Sequence, residues 1–289
     1  MTTEQYDDPV IPKFWNLPIL RHLNKLQDMS NSSKGVPDYI KTQIQNCIDC
    51  INSREDYCDS TTSPSSTAIE NMITKTNQHP WQQVYDRGDI QWKVGPGMLT
   101  GQMEGSFLKT LVSMANARRI LEIGLFTGNS ALAMAEALPV DGKVIALEIS
   151  GYIGKFARQL MDESPHGEKV DIMIGPAKDN MEQLAQEGQK FDIVFIDANK
   201  EGYLDYYKIV MDNDMLTPRG TILIDNGLHG GMAYLSPEQS LLPGLEGSNM
   251  IITNFNEYVY NDDRVAQVMI PIRDGIMAIR RKDEFEGKL

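Results

Sequence analysis

Five short apolar runs, at residues 119–123, 143–148, 170–174, 191–196 and 220–224, alternate with stretches whose apolar residues recur at helical spacing. Those stretches read as helices at 104–117, 129–138, 154–161, 178–187 and 203–211. Strands that alternate with helices are joined by crossovers, so they lie parallel in one sheet covered on both faces. A helix near 250–260 and two more strands, at 265–270 and 275–280, close the chain. The last two strands are separated only by PIRDG (271–275), short enough for an antiparallel hairpin. The pattern predicts an α/β fold whose seven-stranded, mostly parallel sheet ends in a hairpin.

The region before it differs. Leu17, Leu20, Leu23 and Leu26 fall at helical spacing, as do Ile40, Ile44, Cys47, Ile48 and Ile51. Residues 52–66 are polar and read as a loop. Ser63-Pro64 then resembles a cap and first-turn proline opening a helix through Ile69, Met72 and Ile73. No strand signal occurs here. The chain therefore divides into a helical arm, residues 1–80, and an α/β domain, residues 81–289.

A formal charge of -13 argues against non-specific binding to nucleic acid or anionic lipid. No apolar run reaches the roughly 20 residues of a membrane helix, and the acidic start of the chain does not read as a secretory signal. Cys47, Cys50 and Cys58 are odd in number, which fits reduced thiols in a cytoplasmic protein better than a disulfide framework. Cys47 and Cys50 form a CxxC, but without the strand before it or the further ligands that redox or zinc chemistry requires.

In an open sheet of this kind ligands bind beyond the carboxyl ends of the strands, and those ends carry the informative residues. After the first strand comes LEIGLFTGNS (121–130), a GxxxG loop rather than the GxGxxG that cradles a pyrophosphate. Glu148 ends the second strand, where a carboxylate can accept both hydroxyls of a ribose. The pair describes a nucleoside site without a phosphate clamp, as a sulfonium nucleoside needs.

The fourth strand runs into Asp197-Ala-Asn-Lys200 and the fifth into Asp225-Asn226. Neighbouring parallel strands bring both ends to one rim. Two carboxylates and an amide oxygen suit a hard cation such as Mg²⁺, and neither position has the histidine or cysteine that zinc prefers. Lys200, three residues past Asp197, is placed to act as a general base toward a hydroxyl. His229, just past Asn226, can reach a substrate.

Three of these segments, LEIGLFTGNS, FIDANKEGY (195–203) and IDNGLHGG (224–231), resemble in order the signature blocks of cation-dependent O-methyltransferases of the caffeoyl-CoA and catechol type. The resemblance spans roughly residues 98–281 and implies a Rossmann-like methyltransferase sheet using S-adenosylmethionine and a divalent cation. By that resemblance Met98 and Thr100 cover the cofactor, while Glu122, Gly124 and Ser130 hold its methionine and adenosine parts. Thr127 belongs to the same loop, Glu148 takes the ribose, and Ala177 lies near the adenine. Asp197, Asp225 and Asn226 take the metal, Asp197 also borders the cofactor, and Lys200 is the base. Tyr203 joins His229 on the substrate side. The family usually carries Asp where this chain has Asn199, which removes one charge beside the metal.

YCDSTTSPSSTA (57–68), ESPHG (163–167) and PIRDG resemble the O-methyltransferases of mycosporine biosynthesis. This implies that the substrate is demethyl-4-deoxygadusol, an enolic cyclohexenone converted to 4-deoxygadusol. A catechol or caffeoyl-type phenol is the alternative within the class. An NAD-dependent dehydrogenase or a non-catalytic nucleoside-binding module are alternatives outside it. The resemblance also implies a homodimer, with the arm and the loop at 229–245 closing over a small enol or phenol.

Overall fold

In a computed structural model the protein is described at residues 17–236, 239 and 248–285. Part of the loop expected to close over substrate, residues 237, 238 and 240–247, and the first 16 residues of the arm lie outside the described residues.

The arm opens with α1 (Pro18–Ser32) and α2 (Asp38–Thr61). They pack through Leu20, Ile44 and Ile48, a small apolar cluster of their own. Helix α2 corrects the sequence expectation of a loop at 52–66, because it continues to Thr61. Its polar end compensates its open carbonyls with side chains: the Thr61 hydroxyl donates to Tyr57 O at 2.7 Å and the Thr62 hydroxyl to Cys58 O at 2.7 Å. Gln102 Nε2 adds a donor to Thr62 O at 3.2 Å, a contact no local pattern shows. The cap expected at Ser63 is also moved. Ser66 is the N-cap of α3 (Thr67–Gln78), and its hydroxyl accepts from Ile69 N. Cys47 and Cys50 are exposed and Cys58 is half-buried, all three as free thiols.

A short α4 (Trp81–Asp86), which the sequence reading did not foresee, leads to α5 (Gly101–Ala115). The alternation then follows as β1 (Arg119–Ile123), α6 (Asn129–Ala137), β2 (Lys143–Glu148), α7 (Gly151–Met161), β3 (Val170–Ile174), α8 (Ala177–Gln186), β4 (Phe191–Ile196), α9 (Tyr203–Asp212) and β5 (Leu216–Ile224). After α10 (Ser248–Tyr260) come β6 (Val265–Ile270), β7 (Ile276–Arg281) and α11 (Lys282–Phe285).

The seven strands are ordered β3-β2-β1-β4-β5-β7-β6. The first five are parallel, and β7 enters antiparallel between β5 and β6. This is the expected Rossmann-like methyltransferase sheet with its closing hairpin. Successive strand residues face opposite sides. Ile120, Ile193, Phe195 and Leu223 therefore join the core under α3, α5 and α6, and Leu121, Val194, Ile196 and Ile222 join the core under α8, α9 and α10. Burial on both faces explains why these strands are almost continuously apolar. Among the described residues no helix is long and apolar enough to cross a membrane.

Because β1, β2, β4 and β5 are adjacent and parallel, their carboxyl ends share one rim. Glu148, Asp197, Asp225 and the glycine loop all lie there.

Candidate active site

At one half of the rim, Gly124 leaves β1 with φ +99, a conformation costly for residues with a Cβ. A Cβ at this position would lie 2.0 Å from Asp197 O, so glycine alone lets the β1 and β4 ends approach this closely. The chain then turns back onto Glu148. The Glu148 carboxylate accepts from Phe126 N at 3.0 Å and Ser150 N at 2.9 Å, which fixes it at the junction of the glycine loop and β2. Burial raises its pKa while these backbone donors oppose the rise.

Glu122 is fully buried beneath the loop. One of its oxygens accepts from the Ser130 hydroxyl, and the other has no protein partner. Burial pushes its carboxyl up to about 8. A buried polar atom without a partner is rare in proteins and marks a place where a ligand group fits. Thr127 is buried and turned the other way, accepting from Thr76 of α3 at 3.0 Å. Thr100 is buried just before α5, and Met98 stands 38% exposed in a short turn next to it. Gly101 N donates to Asn129 Oδ1 at 3.0 Å, which ties this segment to the head of α6. Ala177 begins α8, beyond the end of β3.

At the other half, Lys200 is nearly enclosed. Its Nζ donates to Asp197 Oδ1 at 3.2 Å, to Tyr203 Oη at 2.5 Å and to Asn226 Oδ1 at 2.5 Å. Tyr203 is buried, and its hydroxyl donates to the backbone Asp225 O at 3.1 Å. Burial among carboxylates holds its phenol well above the ordinary range, so it stays a donor. Lysine, tyrosine and amide thus form a hydrogen-bonded frame that sets Lys200 Nζ between the two strand ends. Burial and the charge of Asp197 push the Asp225 carboxyl up to about 7. His229 is pushed down to about 4 by burial and by Lys200, so its imidazole is neutral at pH 7. Its Nδ1 has no protein partner. Asn199 accepts from the Tyr206 hydroxyl at 2.7 Å.

Two acids that the sequence reading did not single out complete this half. Glu104 of α5 lies beside Asp225, and burial together with Asp225 raises its pKa well above the carboxylate range. Asp274, in the β6–β7 turn, accepts from Asn226 Nδ2 at 3.2 Å and Gly230 N at 2.6 Å. In sequence, Glu104 reads as an ordinary first-turn helix acid and Asp274-Gly275 as turn chemistry. Only the pairing of β7 with β5 brings the turn to this rim.

Among the described residues no three His, Cys, Asp or Glu groups are arranged to hold a metal ion. The donor set at this rim is instead the two carboxylates Asp197 and Asp225 with the amide oxygen of Asn226. These are hard oxygen donors of the kind a divalent cation takes, and the carboxyls of Glu104 and Asp274 lie close by. The residues present fit such an ion.

A model of the O-methyltransferase family matches residues 66–282. Caffeoyl-CoA O-methyltransferase 1 of Eucalyptus globulus is 32% identical over 208 residues, which cover 71% of this chain and 78% of that relative. Caffeoyl-CoA O-methyltransferase 2 of Petunia hybrida is 31% identical over 209 residues, covering 71% and 80%. An SAH-bound methyltransferase of Podospora anserina shares 25% identity and superimposes with a TM-score of 0.68 over 81% of this chain and 96% of its own. The O-methyltransferase TomG of Streptomyces achromogenes, solved with SAM, matches with a TM-score of 0.61 at 23% identity, over 79% and 96%, a likeness of fold.

Proposed function

As the chain belongs to the S-adenosylmethionine-dependent O-methyltransferases of the caffeoyl-CoA type, we propose that it methylates one of two neighbouring oxygens on a six-membered ring, and that its substrate is the enolic cyclohexenone demethyl-4-deoxygadusol. The observation that carries the chemistry is Lys200, held at the rim by Asp197, Tyr203 and Asn226. The substrate assignment draws on the arm and on Asn199. An enol conjugated to a ketone is already acidic, which suits a site with Asn199 where the family resemblance implies a carboxylate.

When bound, the cofactor supplies a methyl group on a sulfonium, and a cation such as Mg²⁺ held by Asp197, Asp225 and Asn226 supplies positive charge that makes a neighbouring hydroxyl more acidic. Glu148 receives the ribose hydroxyls, and the free oxygen of Glu122 receives the ammonium of the methionine part. Met98 and Thr100 cover the cofactor, Gly124 and Ser130 border it, and Ala177 lies beside its base. Lys200 Nζ receives the proton of the reacting hydroxyl. His229, neutral and with Nδ1 free, offers the substrate a hydrogen bond. Much of the rate comes from holding oxygen and methyl in line.

The proposal includes a homodimer, as is common in the family, and a cytoplasmic location, which the free cysteines support. Mass spectrometry of products decides the substrate: the protein is incubated with S-adenosylmethionine and either demethyl-4-deoxygadusol or caffeoyl and catechol substrates, with and without chelator. Methylation of the phenols alone replaces the cyclohexenone by the phenolic reading. Binding of NAD in place of S-adenosylmethionine, or no turnover at all, removes the methyltransferase proposal.

A further inference from the structure

The turn between β6 and β7 places an arginine at the rim in an unfavoured backbone conformation. Arg273 has φ +48, the left-handed region that residues with a Cβ rarely occupy. The turn is held on all sides. Ile272 N donates to Ile270 O and Gly275 N to Ile272 O, both at 2.8 Å. Gly227 N reaches Gly275 O at 2.8 Å and Leu228 N reaches Asp274 O at 2.9 Å, which locks the turn to the segment after Asn226. The carboxylate of the adjoining Asp274 binds Asn226 and Gly230. These six contacts fix the turn, so the Arg273 side chain leaves it from a set position.

The guanidinium lies between the head of α5 and the acids of the rim. A Cβ built on Gly101 would sit 3.0 Å from Arg273 Nη1. Arg273 Nε is 3.6 Å from Glu104 Oε2, an ion-pair distance too long for a good hydrogen bond. The Glu104 side chain is 3% exposed, whereas that of Arg273 is 39% exposed. Its side chain therefore lies close to Glu104 without a good hydrogen bond to it and is partly open to solvent. It stands where the segment next to Thr100 meets the strand ends of Asp197 and Asp225.

We propose that Arg273 is a specificity-determining residue that pairs with the charge of an already ionised substrate, the delocalised enolate of a ring ketone bearing adjacent oxygens. This rests on the reading of the rim as an O-methyltransferase site. An ionised enolone spreads one negative charge over the two conjugated oxygens, which a guanidinium can take in a charge-assisted, fork-like contact, while the neighbouring hydroxyl is still protonated and is the one whose proton Lys200 receives. A catechol is uncharged near neutral pH and gains far less from the same residue.

Calorimetric titration of the SAH- and Mg²⁺-loaded protein tests this with two probes. Reductic acid is a cyclic enediolone that is an anion at pH 7, and catechol is neutral. The readout is the ratio of their affinities. In wild type the anion is preferred. Arg273→Gly, which removes the guanidinium and suits the left-handed backbone, lowers that ratio roughly 10- to 100-fold. Arg273→Lys, which keeps the charge without the fork, lowers it less, and carries the test should the glycine variant not fold. An unchanged ratio, or an equal loss of both affinities, overturns the proposal, because a residue needed only to balance Glu104 affects both probes alike. Turnover is scored separately: wild type that binds the anion through Arg273 but methylates nothing refutes the methyltransferase reading and leaves the role of Arg273 standing.

Discussion

Lys200, just past the end of β4, donates from Nζ to Oδ1 of Asn226, just past the end of β5, across 2.5 Å. The contact joins the proposed base to a proposed metal ligand, so neither side chain is free to reorient alone. Lys200→Ala removes the base together with this tie. The expected loss in kcat is about 10²- to 10⁴-fold, the usual range for a positioned general base. Steady-state kinetics checks it, with the Kd for S-adenosylmethionine measured in parallel and expected to change much less. A variant retaining full kcat removes Lys200 from the chemistry.

Asp274 orients Asn226 through its amide nitrogen and Gly230 through its backbone, without a place in the proposed donor set. Groups that orient metal ligands typically matter about 10- to 100-fold in metal affinity. Asp274→Asn is expected to raise the Mg²⁺ concentration needed for half-maximal turnover by that factor. Titration of chelator-treated enzyme with Mg²⁺ measures it.

Burial lifts the Glu122 carboxyl from an ordinary 4.5 to about 8. In the ligand-free protein it is mostly protonated at pH 7, and unfolding releases that proton. Its contribution to stability therefore falls as pH rises from about 4.5 through 8. Glu122→Gln is expected to gain in Tm relative to wild type between pH 5 and pH 8. Pairing with the cofactor's ammonium favours the ionised form, so cofactor binding at pH 7 releases close to one proton. Calorimetry in buffers of different ionisation enthalpy reads this release, which Glu122→Gln abolishes.

Gly124→Ala meets two obstacles, the φ of +99 and a Cβ placed 2.0 Å from Asp197 O. The backbone strain alone is of the order of 1–3 kcal/mol, and relief of the clash pushes Asp197 away from the rim. Thermal unfolding is expected to drop by several degrees, with weaker binding of S-adenosylmethionine. A variant with wild-type Tm and affinity shows that the β1 and β4 ends part without consequence.

The arm reaches the rim through Arg21, whose Nη2 donates to Gly230 O at 2.6 Å. Gly230 N also donates to Asp274, so α1 braces the turn that carries His229. Arg21→Ala is expected to raise KM for the methyl acceptor several-fold while leaving the Kd for S-adenosylmethionine within twofold. Unchanged kinetics removes the arm from the organisation of the site.

The first four parallel strands were legible to the residue, whereas β5 begins at Leu216, before the apolar run at 220–224. β2, β3 and β4 begin and end where the apolar runs do, because each is bounded by turn residues, and β4 in mid-sheet is also buried on both faces. The polar end of α2 was not legible. Its stability comes from back-bonded Thr61 and Thr62 and from the distant Gln102, while its composition reads as a loop. Similarly, Ser63-Pro64 has the chemistry of a helix start, yet Ser66 makes the capping bond.

The glycine loop, Glu148, Asp197, Lys200, Asp225 and Asn226 were visible from sequence alone, because parallel strands carry their ends to one rim and local spacing marks those ends. Periodicity and turn chemistry act over a few residues, and they determined the fold class and half of the site. The other half, Glu104, Asp274, Arg273 and Arg21, lies far along the chain from the residues it serves. Asn226 and Asp274 meet across 48 positions, and Arg21 and Gly230 across 209. Only the insertion of β7 beside β5 and the docking of α1 on the following turn bring them together. Such contacts are set by packing between distant elements, which leaves no trace in the spacing of neighbouring residues.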